Sequence, residues 1–191
     1  MNICVFCASS SRLAPEFVEC ARSLGAWIGK RGHTLVWGGC NVGLMDVVGR
    51  SARDAGARTI AIIPEFLVAR GLAFEPCTER VVTRDMAERK AGFRQRADAF
   101  VALPGGVGTW EEVLEVIALR KLAQLAAPIV IANVKGYYDP LLELVRQSIA
   151  EGFSTPDVAR LYAVAADAPG IAACLEQPLV QTARLDLGPV G

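Results

Sequence analysis

Short runs of apolar, often β-branched residues alternate along this chain with stretches whose apolar positions recur every three or four residues. The runs are Ile3–Cys7, Thr34–Trp37, Thr59–Ile63, Arg80–Val82, Phe100–Leu103, Ile129–Ala132 and Leu161–Val164. Most are almost continuously apolar, the pattern of strands covered on both faces. Between the first two, Phe17, Cys20, Leu24, Trp27 and Ile28 mark one face of a helix that Gly32 closes. Leu44, Val47, Val48, Ser51, Ala52 and Ala55 mark a second, closed by Gly56. Thr109 to Gln124 and Pro140 to Glu151 read as two more, and Met86, Lys90, Phe93 and Ala97 set a helical stripe between the fourth and fifth strands. This alternation predicts an α/β protein with a three-layer, Rossmann-like fold and a doubly wound parallel sheet of about seven strands. Residues 1–176 are expected to form one domain. Residues 177–191, which include Pro178, Gly188 and Pro189, are expected to be a loose tail.

Composition narrows the partners. Of 191 residues, 52% are hydrophobic and 21% charged, which excludes a disordered chain. Twenty basic and twenty acidic residues cancel, so no global field draws the protein to nucleic acid or a membrane surface, and any anion site must be local. No apolar run approaches the ~18 residues a membrane span requires. The start, Met1-Asn2-Ile3, has neither a basic n-region nor an Ala-x-Ala site, so a cytoplasmic protein is expected. Six cysteines in a chain of this size read as free thiols. Cys4 and Cys7 resemble a redox or zinc pair, but their odd spacing on a strand puts them on opposite faces. His33 is the sole histidine and sits at a helix stop, a poor place for a catalytic triad or a zinc ligand, so no metal is expected.

In a doubly wound sheet, ligands sit outside the carboxyl ends of the strands. The loops to inspect are therefore Ala8–Ala14, Gly38–Gly43, Arg84–Lys90 and Pro104–Thr109, all expected at one edge. Pro104-Gly105-Gly106-Val107-Gly108-Thr109 follows a strand and opens a helix, an arrangement that can cradle a phosphate on backbone N–H groups. No Gly-Lys-Ser/Thr follows, so it is not a Walker loop; the bland alternative is a tight turn that needs glycine. Thr109-x-x-Glu112 has capping-box spacing, so Glu112 either caps the helix or reaches whatever is esterified to the phosphate. Between Arg84 and Arg96 the chain carries a local charge of +3, and Lys90, on the stripe of Met86 and Phe93, reads as an inward-pointing anion ligand. Gly38-Gly39-Cys40-Asn41-Val42-Gly43 misses a dinucleotide fingerprint by one position. With Glu65 placed as a ribose acid, it keeps a nicotinamide enzyme open. Ser9-Ser10-Ser11 offers hydroxyls to a phosphate or ribose.

Met86-x-x-Arg89-Lys90 followed by Pro104-Gly105-Gly106-x-Gly108-Thr109-x-x-Glu112 resembles the paired signature of the LOG (lonely guy) family, often mislabelled lysine decarboxylases. Cys7-x-Ser9-Ser10, the Gly38–Met45 segment and Gly136-Tyr137-Tyr138 also match, and the resemblance runs to about Phe153. It implies a nucleotide-binding homodimer without metal or organic cofactor. Such an enzyme hydrolyses the N-glycosidic bond of a nucleoside 5′-monophosphate substrate, AMP or an N6-substituted AMP, to free base and ribose 5-phosphate. Carried over by motif, Arg89 and Glu112 occupy catalytic positions. Ser9, Gly39, Met86, Lys90, Gly105, Gly106, Val107, Gly108 and Thr109 occupy substrate-binding ones. The chain departs from the family at Cys40 (usually glycine), Gly71 (in a segment where plant members carry a substrate-contacting Glu), Ala118 (Thr) and Lys121 (Gln), all of which bear on base recognition. A non-catalytic nucleotide or molybdenum-cofactor carrier on the same scaffold is the alternative. A decarboxylase would need pyridoxal phosphate and a Schiff-base lysine, and the chain has only Lys30, Lys90, Lys121 and Lys135.

Overall fold

Alternate side chains of the first strand enter two different cores: Ile3 and Val5 face one, Cys4 and Phe6 the other. A strand built this way must be covered on both sides, and the rest of the chain supplies the covers. The computed structural model describes residues 1–177. The strands are β1 (Asn2–Phe6), β2 (Thr34–Trp37), β3 (Arg58–Pro64), β4 (Glu79–Thr83), β5 (Ala99–Ala102), β6 (Ile129–Ala132) and β7 (Ala163–Ala165). The helices are α1 (Pro15–Lys30), α2 (Gly43–Asp54), α3 (Glu65–Val68), α4 (Met86–Arg96), α5 (Val107–Lys121), α6 (Asp139–Ala150) and α7 (Ala168–Glu176). Helices α1, α2 and α7 bury Leu24, Val48 and Ile171 on one face; α4, α5 and α6 set Phe93, Val116 and Val145 against the other.

Every strand pair is parallel, in the order β4-β3-β2-β1-β5-β6-β7. The chain winds outward from β1 to β4, returns to the other side of β1 as β5, and winds outward again. The reversal lies between β1 and β5, and it opens a crevice where their carboxyl ends diverge.

Six of the seven expected strands lie within one residue of their predicted limits, and the seventh within two. The seventh begins at Ala163 rather than Leu161, because a 3₁₀ turn over Pro156–Arg160 continues into Leu161, whose N–H donates to Val158. Helix α7 was not legible: its apolar residues Ile171, Ala172 and Leu175 are too few for a clear period. The expected tail, apart from Gln177, lies outside the described residues. Cys4 and Cys7 enter opposite cores as their spacing predicts, and His33 packs on Trp27 at the amino end of the sheet, far from the crevice.

Candidate active site

All four inspected loops contribute to one cavity of about 360 Å³ at the β1/β5 reversal. Its polar end is made by Ser9 after β1 and by Gly106, Val107, Gly108 and Thr109 at the start of α5. Its apolar end is made by Val42 and Met45 of the second loop and helix, and by Leu67 and Leu72 around α3. Met86, Arg89 and Glu112 line it as well.

The start of α5 bears on the two readings of the glycine-rich loop. The helix begins at Val107 with Gly106 as its cap, two residues earlier than expected. The first helical bond runs from Trp110 N–H to Gly106 O at 3.0 Å, and the amides of Val107, Gly108 and Thr109 find no acceptor among the described residues. Three donors at the positive end of the helix dipole therefore face the cavity. Gly105 belongs to the turn, not the cavity, since an added Cβ would lie 2.1 Å from Thr109 Oγ1. Gly106 and Gly108 have open space where a Cβ would be, at ordinary φ angles, so neither packing nor turn geometry demands glycine there.

The Gly38–Gly43 turn is the opposite case. An added Cβ on Gly39 would lie 2.6 Å from Ala61 Cβ, and one on Gly43 would lie 2.5 Å from Ser10 O. Both adopt positive φ, and the Leu44 amide at the start of α2 donates to Ala8 O at 2.9 Å. These glycines are consumed in seating the turn on β1 and β3. Gly39 is thus not a lining residue, and Glu65 is exposed outside the cavity. The close approach that Gly39 and Gly43 permit is to the protein's own backbone and side chains, which argues against reading the turn as a dinucleotide fingerprint.

With α5 starting at Val107, Glu112 falls in the second turn, and the capping box predicted from its spacing does not form. The acid cap is on α4 instead, where Asp85 Oδ1 accepts the Glu88 N–H at 2.8 Å and Glu88 accepts the Arg84 N–H at 2.8 Å. Glu112 points into the sheet crevice and meets Arg89, with Nη1 to Oε1 at 3.2 Å and both side chains about 90% shielded. Arg89 is held from behind as well: its Nε donates to Ile62 O of β3 at 3.0 Å. The guanidinium lies flush against Gly38, where an added Cβ would sit 2.1 Å from Nη2. Glycine at position 38 is what lets the arginine close over β2. Burial pushes the Glu112 carboxyl up to about 7, an effect that Arg89 partly offsets and the neighbouring Glu111 reinforces.

Lys90 does not point inward. Its ammonium contacts Glu111 and lies 3.5 Å from Glu115, and it is not part of the cavity wall. The physical reason is the helical step. The buried face of α4 carries Arg89, Gly92 and Phe93, while Met86 is partly exposed; one residue on from Arg89 is a rotation of about 100°, which turns Lys90 off that face toward α5. Val42, Met45, Leu67 and Leu72 line the cavity without having been legible as site residues in the sequence, where Gly38 figured only as part of a turn. Among the described residues, no group of three or more His, Cys, Asp or Glu could hold a metal ion, and no lysine lines the cavity to form a Schiff base.

The profile of a family described as possible lysine decarboxylase matches residues 45–175. Over 176 residues the chain is 42% identical to a probable cytokinin riboside 5′-monophosphate phosphoribohydrolase of Oryza sativa subsp. japonica, covering 92% of this chain and 78% of that protein. It is 40% identical, over 92% of this chain and 81% of the other, to a cytokinin riboside 5′-monophosphate phosphoribohydrolase of Arabidopsis thaliana. Among solved structures, the Moco carrier protein from Chlamydomonas reinhardtii aligns with a TM-score of 0.69 at 25% identity, over 92% of this chain and 95% of that one. The molybdenum cofactor binding protein of Rippkaea orientalis shares the fold, with a TM-score of 0.64 at 21% identity, over 90% and 93% of the two chains.

Proposed function

Because this chain belongs to the LOG family of phosphoribohydrolases, we propose that it hydrolyses the N-glycosidic bond of a nucleoside 5′-monophosphate, either AMP or an N6-substituted AMP, releasing free base and ribose 5-phosphate. The observation that carries this reading is the juxtaposition in one cavity of three unpaired first-turn amides and a buried carboxylate on the same helix. The 5′-phosphate is held by the amides of Val107, Gly108 and Thr109. The base lies toward the apolar end formed by Val42, Met45, Leu67 and Leu72. The ribosyl C–N bond then lies between the two ends, beside Glu112 and Arg89.

Breaking that bond builds positive charge on the anomeric carbon, as in glycoside hydrolysis. Ionised Glu112 stabilises that charge and orients the attacking water. Arg89 fixes the carboxylate in place, and the bound phosphate anchors the reacting centre. Incubation with AMP and with an N6-alkylated AMP, followed by chromatography of the free base, tests the reading. Base release from at least one is expected; tight binding of both without release would turn the assignment to a nucleotide carrier.

Replacing Gly108 by Ala separates the phosphate role from the turn role. The open space around Gly108 accepts a methyl group, and the helix should gain up to about 1 kcal/mol. KM for the monophosphate should nevertheless rise about tenfold or more, as the methyl enters the anion's place. Unchanged KM would remove the phosphate from this loop.

A homodimer completes the proposal. The inner face of α5 buries Val113, Val116 and Ile117, yet Val107, Trp110, Leu114 and Leu122 form a second, exposed apolar stripe along its outer side. Val107 belongs both to this stripe and to the cavity wall, so a second copy packed there shields the site from water. Leu114→Glu is expected to yield monomers by light scattering and to lower activity in parallel; a monomeric, fully active wild type would contradict it. No helix of the described residues is long and apolar enough to cross a membrane.

A further inference from the structure

The carbonyl groups of Leu103, Pro104, Gly105 and Gly106 follow one another from the end of β5 into α5, and each one accepts a hydrogen bond within the protein. Gly106 O takes the Trp110 amide at 3.0 Å and Pro104 O takes the Ala8 amide at 3.2 Å. The other two are taken by phenols: Tyr138 donates to Leu103 O at 2.8 Å, and Tyr137 donates to Gly105 O. With all four acceptors turned into the fold, the loop offers the cavity only its N–H side.

Both tyrosines stand on a turn that is itself braced. After β6 the chain adopts left-handed backbone at Lys135 (φ 55°) and Gly136 (φ 71°), which throws the next two residues back toward β5. Asn133 locks the turn: its Oδ1 accepts the Tyr138 N–H at 2.7 Å, and its Nδ2 donates to Asp139 at 2.7 Å. Lys135 reaches Glu16 at the start of α1 at 2.7 Å, and the Tyr137 ring packs edge-on against Phe17 at 5.9 Å. Neither tyrosine lines the cavity. Tyr138 is 1% exposed, and its burial holds the phenol protonated, hence a permanent donor.

We infer that Tyr137 and Tyr138 are positioning residues for anion binding, fixing the peptide planes of residues 103–106 so that the amides of Val107, Gly108 and Thr109 converge on the phosphate. This rests on the reading above that the loop takes the phosphate, but not on turnover. A hydroxyl lost from either ring frees one carbonyl to swing, and a carbonyl oxygen turned toward the cavity would repel the anion that the amides attract.

The test is a titration of the full chain, as wild type, Tyr137→Phe and Tyr138→Phe, with inorganic phosphate and separately with adenosine, by calorimetry. Phe keeps ring packing and removes only the donor. Each variant is expected to bind phosphate about tenfold more weakly or worse while adenosine affinity stays within about twofold, and KM for the monophosphate should rise with kcat nearly unchanged. Tyr137→Phe, at the less buried ring, guards against a Tyr138 variant that fails to fold. Unchanged phosphate affinity in a folded Tyr137→Phe, equal loss of phosphate and adenosine binding, or a wild type that binds no phosphate would each overturn the inference. A wild type whose phosphate affinity depends on the two hydroxyls but which releases no base would uphold it and overturn the hydrolase reading alone.

Discussion

Glu112→Gln is expected to lower kcat/KM on a nucleoside monophosphate by about 10³-fold, since among the described residues it removes the only carboxylic acid that lines the cavity. The pH dependence carries the mechanistic content. With the carboxyl pushed up to about 7, wild-type kcat/KM should climb roughly tenfold per pH unit below that value and level off above it, while the Gln variant shows no such limb. A wild-type rate that instead falls as pH rises through 7 would make Glu112 a proton donor. Stability should move the other way. The folded carboxyl binds its proton more tightly than the unfolded one, so its contribution is fully present below about 4.5 and is lost as pH rises to about 7. The unfolding free energy of wild type relative to Glu112→Gln should therefore fall by about 3 kcal/mol between pH 4 and pH 8. Denaturation series at the two pH values read this directly, and a constant difference would show that Glu112 is ionised throughout.

Arg89→Ala is expected to be the most disruptive single change in stability. It strands a buried carboxylate and leaves Ile62 O without its donor, a loss of about 3–5 kcal/mol at pH 8. At pH 5 the cost should be smaller, because Glu112 escapes by taking up a proton. Activity should fall by about 10²-fold or more, since the carboxylate loses both its orientation and its charge at neutral pH. Arg89→Lys should not restore it: one flexible ammonium cannot satisfy the β3 carbonyl and the carboxylate with the planar fork that spans both. In the double variant with Glu112→Gln the activity losses should be far from additive, because the two side chains act as one unit. Additive losses would mean that Arg89 acts on the substrate independently of Glu112.

The periodicity of the chain was sufficient for the layers, for the seven strands and for the edge on which the loops gather, because burial on two faces leaves a continuous apolar signature in a strand. Cys4 and Cys7 could be separated on spacing alone, for the same reason. What spacing could not determine is which member of a motif faces inward. Lys90 and Arg89 are neighbours, and the choice between them rests on a rotation of 100° about α4 and on a carbonyl contributed by β3, 27 residues earlier. The helix start at Val107 rather than Thr109 likewise places Glu112 in the second turn, in a buried ion pair rather than at the cap its spacing also allowed. The local sequence thus determined the elements, since those depend on contacts a few residues apart. Only the tertiary structure decided the site, where Ile62 of β3, Arg89 of α4 and Glu112 of α5 meet beside Gly38 of the loop after β2, and Tyr137 and Tyr138 reach back over 30 residues to hold the loop beside them.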